Sequence, residues 1–175
     1  MVLLIAGLFV STAVADEINL GDRIPEADEV VEALAPAGAE SETPEGYKSR
    51  AIRPKQTAVS KPRAISMEIT FQKNSYRLSD KAQQVLDVVG KSLSTDRLKE
   101  YRFVIEGHTD ASGSDQYNLR LSGQRAAEVK RYLVQKHYVD PSRLTTVGKG
   151  ESDLLVRDDP YAARNRRVKI VNIGN

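Results

Sequence analysis

One glycine-bearing run constrains this chain more than any other feature: Gly107-His108-Thr109-Asp110-Ala111-Ser112-Gly113. An apolar stretch rich in β-formers precedes it at 101–105, and a long helical pattern follows from Tyr117. The order is strand, polar loop, helix. Loops held at strand ends by a rigid scaffold are where binding residues gather. The helix carries an anomaly. At about 100° of turn per residue, Leu121, Ala126, Val129, Tyr132 and Leu133 share one arc. Asn118 and Arg125 fall inside that apolar arc, while Arg120, Gln124, Ala127, Glu128 and Arg131 fall on the other side. A guanidinium keeps its proton, so burying it unpaired costs roughly several kcal/mol. Two partners satisfy it: an acidic side chain of the same chain, or an anion brought by a ligand.

Charge divides the chain. Residues 1–47 hold ten acidic side chains and one basic, Arg23; residues 48–175 hold 25 Lys+Arg against 14 Asp+Glu. A basic module implies an anionic partner: nucleic acid, an anionic membrane surface, or an acidic polymer such as a cell wall. The absence of cysteine excludes disulfides, zinc-thiolate sites, thiol catalysis and lipidation of an N-terminal cysteine. Two histidines, His108 and His137, exclude a multi-histidine metal site.

Residues 1–15 read as a signal peptide. Their apolar part is shorter than the roughly 20 residues a bilayer span needs, and Ala13-Val14-Ala15 forms a small-x-small cleavage pattern, although no Lys or Arg precedes the apolar core. Residues 16–63 read as a disordered linker, acidic and then Pro- and Lys-rich, punctuated by Pro25, Pro36, Pro44, Pro54 and Pro62. One island, 26–35, has the pattern of a short amphipathic helix. It is either solvated linker or a contact for an envelope protein through Val30, Val31 and Leu34.

Residues 64–175 form the folded module. Alternation predicts a strand over 65–71. Ser79 caps a helix with apolar positions Ala82, Val85, Leu86, Val89 and Leu93. A strand over 101–106, a helix over 118–136, a turn at Pro141, a strand over 144–147, a short helical piece at 161–165 and a strand over 167–171 complete the series. The fold class is an α/β two-layer sandwich, a βαβαβ-type mixed sheet of about four strands with helices on one face.

Several motifs in order carry a resemblance: Gly107-His108-Thr109-Asp110 with Gly113, Tyr117 to Ser122 with Arg125-Ala126, Asp140 to Leu144, Gly148-Lys149-Gly150-Glu151, and Asn165-Arg166-Arg167-Val168. Over roughly residues 65–173 the chain resembles the OmpA-like C-terminal domain, the peptidoglycan-associating module of outer-membrane proteins, Pal lipoproteins and flagellar stator subunits. The resemblance implies noncovalent binding of the peptidoglycan stem peptide through its diaminopimelate, as a tether in the cell envelope. Asp110 corresponds to the family's acidic anchor and Arg125 to its basic one. Thr109 and Asn118 match flanking positions, Phe71, Asn74 and Ser75 lie where the first loop meets ligand, and Arg166 joins the set. The first loop departs from the family: Gln72 stands where some members carry aspartate, and Lys73 where others carry an aromatic residue.

The chemistry agrees. The free end of diaminopimelate bears an ammonium and a carboxylate. Asp110 accepts from the first, and Arg125 grips the second through two parallel hydrogen bonds. In the empty protein Asp110 and Arg125 are expected to face each other. No catalysis, cofactor or metal is expected. Ser112, His108 and Asp110 in one short loop do not reach triad geometry, and Asp153, Asp158 and Asp159 lack the spacing of a calcium loop. The expected partners are peptidoglycan and an envelope protein met through 16–63, in the periplasm, associated with the wall or the outer membrane. The alternatives are another anionic polymer such as nucleic acid, or a protein adaptor. Against nucleic acid stand the secretion signal and the lack of stacking aromatics among the basic residues.

Overall fold

The computed structural model describes residues 16–36, 63–71 and 76–175. Five strands form one open mixed sheet: β1 (Asp16–Asn19), β2 (Arg63–Met67), β3 (Phe103–His108), β4 (Leu144–Gly150) and β5 (Val168–Asn172). The order across the sheet is β1-β2-β5-β3-β4. β5 runs antiparallel to both its neighbours, and the β1–β2 and β3–β4 pairs are parallel. Four strands therefore point one way. The C-terminal ends of β2, β3 and β4 and the start of β5 share one pole of the sheet.

Three helices pack on the sheet: α1 (Ala27–Leu34), α2 (Asp80–Leu93) and α3 (Asp115–His137). α2 starts at Ser79, whose Oγ accepts from the Ala82 N–H at 3.2 Å, and it buries the predicted stripe from Ala82 to Leu93. α3 begins three residues before the sequence pattern, because Ser114 Oγ accepts from the Tyr117 N–H. It ends at Tyr138, a non-glycine residue at φ 55°. Where the two helices meet, Asp87 Oδ1 accepts from the Tyr132 hydroxyl at 2.9 Å and lies 2.7 Å from His137 Nε2. Burial and Asp87 together push the Tyr132 hydroxyl up to about 12.

α3 lies on β3 and β4 backbone to backbone. A Cβ at Gly107 would stand 2.1 Å from the Ser122 carbonyl oxygen, and one at Gly148 would stand 2.6 Å from that of Leu119. Only glycine permits this approach. Ser122 Oγ accepts from the Gly150 N–H at 2.9 Å, which ties the helix to the end of β4.

The expectation of a disordered linker from residue 16 is corrected over 16–36. β1 pairs in parallel with β2, and α1 buries Val30, Val31, Ala33 and Leu34 in the same core as Met67, Leu86 and Phe103. Val30, Val31 and Leu34 are therefore not a surface for a partner. Acidic side chains read as solvated also pair with the basic module, largely exposed at Asp22 and Glu32 and half-buried at Glu17. Glu17 meets Lys169 at 2.8 Å and Arg167 at 3.6 Å, Asp22 meets Lys81 at 2.8 Å, and Glu32 pairs with Arg97. The Ala35 carbonyl accepts from Arg63 at 2.7 Å and the Leu34 carbonyl from Asn172 at 2.8 Å, so the end of α1 is held. The expected signal peptide, the remaining part of the expected linker at 37–62, and Gln72, Lys73, Asn74 and Ser75 lie outside the described residues. The first module strand is also shorter than expected. The chain turns after Met67, where the Ile69 N–H donates to the Met67 carbonyl.

Candidate functional site

The site assembles at the shared pole from four chain segments far apart in sequence. β3 delivers the loop 109–113 at its C-terminal end. There the Thr109 N–H donates to the Gly150 carbonyl and the Ala111 N–H to the Pro160 carbonyl, so the end of β4 and the loop before β5 hold it from two sides. Gly113, at φ 101°, turns the chain into α3.

Asp110 is buried. Its Oδ1 accepts from the Ser112 N–H at 3.1 Å, and its Oδ2 accepts from Arg166 at 2.6 Å. Burial pushes its carboxyl up. Arg166 and the Ser112 donors outweigh burial and hold it below the usual carboxylate range. The expected Asp110–Arg125 pair is thus corrected: the cation on Asp110 is Arg166. The reason is the loop before β5. Asn165 is fully buried, its Nδ2 donating to the Asp159 and Pro160 carbonyls and its Oδ1 accepting from the Val156 N–H. That clamp sets Arg166 beside the 109–113 loop.

Arg125 occupies the predicted place in the apolar arc of α3 and is half-buried. Its Cζ lies 4.7 Å from the Phe71 ring centroid, a cation–π contact, and its Nε is buried without a hydrogen-bond partner among the described residues. Among the described residues no acidic side chain forms an ion pair with it. Burial pushes its guanidinium below the ordinary arginine value. Tyr117 and Asp110 oppose that shift, and Arg166 reinforces it. The guanidinium stays charged at any physiological pH.

Asn118, also predicted inside the arc, is almost fully buried. Its Nδ2 donates to Glu151 Oε2 at 2.6 Å and to the Asp110 carbonyl at 3.3 Å. Thr109 is buried, and among the described residues its hydroxyl has no hydrogen-bond partner. His108 is enclosed at the end of β3, its Nε2 3.7 Å from Glu106 Oε2. The structure thus brings together Asp110, Arg125, Thr109, Asn118, Phe71 and Arg166. Asn74 and Ser75 lie outside the described residues. Glu151 and Ser122 have positions at the site that the sequence reading did not assign. The signal for Glu151 was its place in the Gly148-Lys149-Gly150-Glu151 run.

A buried carboxylate and a half-buried guanidinium without an acid partner among the described residues lie on adjacent elements, an arrangement chemically able to meet a small group bearing both charges. The model of the OmpA family matches residues 70–167, more than half of the chain. The chain belongs to the OmpA family. It is 34% identical over 123 residues to outer membrane protein A of Bordetella avium, covering 66% of this chain and 62% of that protein. It spans between 25% and 62% of the length of three curated relatives of that name. Among solved structures, it is similar to the peptidoglycan-associated lipoprotein of Burkholderia pseudomallei, at 29% identity and TM-score 0.51, over 61% of this chain and 88% of that one. The cell wall anchor of the type VI secretion system of Pseudomonas aeruginosa is similar at 25% identity and TM-score 0.54, over 65% and 82%. Among the described residues no helix is long and apolar enough to cross a membrane.

Proposed function

We propose that this OmpA-family module binds peptidoglycan noncovalently through the diaminopimelate of the stem peptide. On this reading it acts as a wall-associated tether in the periplasm, at or near the outer membrane. The observation that carries the proposal is Arg125, half-buried against Phe71 with no acidic partner among the described residues, one element away from the ionised Asp110. Two similar solved proteins are named for an association with peptidoglycan and for anchoring at the cell wall. The ligand's ammonium goes to Asp110 and its carboxylate to Arg125. The dry surroundings strengthen both contacts relative to water. Asn118 and Thr109 line the cleft, and no bond is made or broken. An envelope protein as second partner is assigned to residues 37–62, since 16–36 are packed on the module.

Co-sedimentation with purified sacculi tests this. Binding to diaminopimelate-type wall, reversed by free diaminopimelate, is expected. Equal binding to lysine-type wall would replace the specific clamp with attraction to polymer charge.

A further inference from the structure

Arg166 holds the oxygen of Asp110 to which the reading above brings the ligand's ammonium. Its guanidinium lies 2.6 Å from Asp110 Oδ2, yet its side chain is 48% exposed where that of Asp110 is only 10% exposed. The carboxylate is fixed inside by the Ser112 N–H. The arginine reaches it from the solvent side, on a flexible stem. An ammonium arriving at Asp110 therefore meets a cation already in place, and two cations on one carboxylate oxygen repel each other.

We infer that Arg166 is a specificity-determining residue, a resident counter-cation that yields Asp110 only to a ligand whose ammonium has a free carboxylate beside it. This rests on the diaminopimelate reading above. Arg166 bonds Asp110, and α3 carries Arg125 about two turns beyond Asn118, whose Nδ2 donates to the Asp110 carbonyl, so both guanidiniums flank the 109–113 loop and a carboxylate gripped by Arg125 comes near Arg166 as well. On binding, Arg166 exchanges one carboxylate for another: it leaves Asp110 and turns to the ligand. A ligand carrying the ammonium alone displaces Arg166 and offers it nothing in return. Discrimination then comes from an unfavourable contact against the wrong ligand as well as a favourable one with the right ligand. The exchange stays near the surface and leaves the clamp of Asn165 on the Val156–Pro160 loop unchanged.

The test measures, with the full chain, the affinity of two probes. One is a stem tripeptide ending in diaminopimelate. The other is the same peptide with the carboxylate of the free centre converted to a carboxamide. Wild type is expected to prefer the first. Arg166→Gln is expected to bind the amide about threefold to fivefold more tightly than wild type does, the effect of removing a pair worth up to about 1 kcal/mol. The same variant gains nothing for the free carboxylate, so the preference shrinks. Arg166→Lys, which restores a cation, returns the amide affinity towards wild type. General damage to the site weakens both probes. An amide affinity unchanged or weakened by Arg166→Gln, with wild type still binding the free acid, overturns this inference alone. A wild type that binds neither peptide overturns the diaminopimelate reading, and this inference with it.

Discussion

Asp110 and Arg125 are each set by one surrounding: a loop that donates to the carboxylate, and an arc of α3 that keeps water from the guanidinium. Truncating one partner of a buried charge-assisted contact costs about 2–5 kcal/mol. Asp110→Ala and Arg125→Ala are therefore each expected to abolish sacculus binding, with a cooperative thermal melt retained. Loss of the melt in Arg125→Ala would make Arg125 part of the scaffold. The ion pair also has a pH signature. The folded-state value of Asp110 is depressed, so its pair with Arg166 contributes in full above the unfolded value of about 4 and is lost as pH falls through the lower folded value. Asp110→Asn lacks this component, so the stability gap between it and wild type is expected to narrow below about pH 4 in denaturant titrations. Arg125 and Asn118 were readable from sequence because a polar residue inside an apolar helical arc stands out. The Asp110–Arg166 pair was not. Its partners are 56 positions apart and meet only because the Asn165 clamp folds the loop before β5 back onto β3. No local periodicity encodes such a meeting.

The elements divide in the same way. α2, α3 and the strands β3, β4 and β5 follow apolar periods of 3.6 or 2, and their approximate positions were visible in the residues. The helix α1 was visible as the amphipathic island 26–35, but its docking on the core, and the whole of β1, were missed, because acidic side chains and prolines resemble solvated linker when read one segment at a time. Their partners, Lys81, Arg97, Arg167 and Lys169, lie far along the chain. The contact of α3 with β3 and β4 is the least tolerant junction described. At Gly107 an added methyl meets the Ser122 backbone, which cannot turn aside as a side chain would. Gly107→Ala is expected to destabilise the module by about 1–3 kcal/mol, as overpacking usually does. It should also weaken ligand binding, since the same shift moves Asn118 and Arg125 away from the loop. Urea unfolding and sacculus binding on the same sample check both; an unchanged midpoint would mean that the helix lifts off without strain.

At the scale of the molecule, residues 16–36 complete the core that β2 and α2 leave open. Leu34 is fully buried, and Leu34→Ala is expected to cost about 2–5 kcal/mol. Deleting residues 16–36 should lower the melting temperature sharply, and amide exchange in the isolated protein should find Val30 to Leu34 slow. Fast exchange there would return the segment to the linker. The direction of β1 has a mechanical consequence. Asp16 pairs with Arg63, and Asn19 with Ser66, so β1 enters the sheet at the pole opposite the ligand loops and runs towards them. A pull that enters through Asp16 and is resisted at Asp110 and Arg125 lies along the strand axis. It loads the hydrogen bonds between β1 and β2 together, in shear, instead of opening them one after another like a zip. The module should therefore yield at higher force when stretched between those two poles than when β1 is peeled sideways from its neighbour.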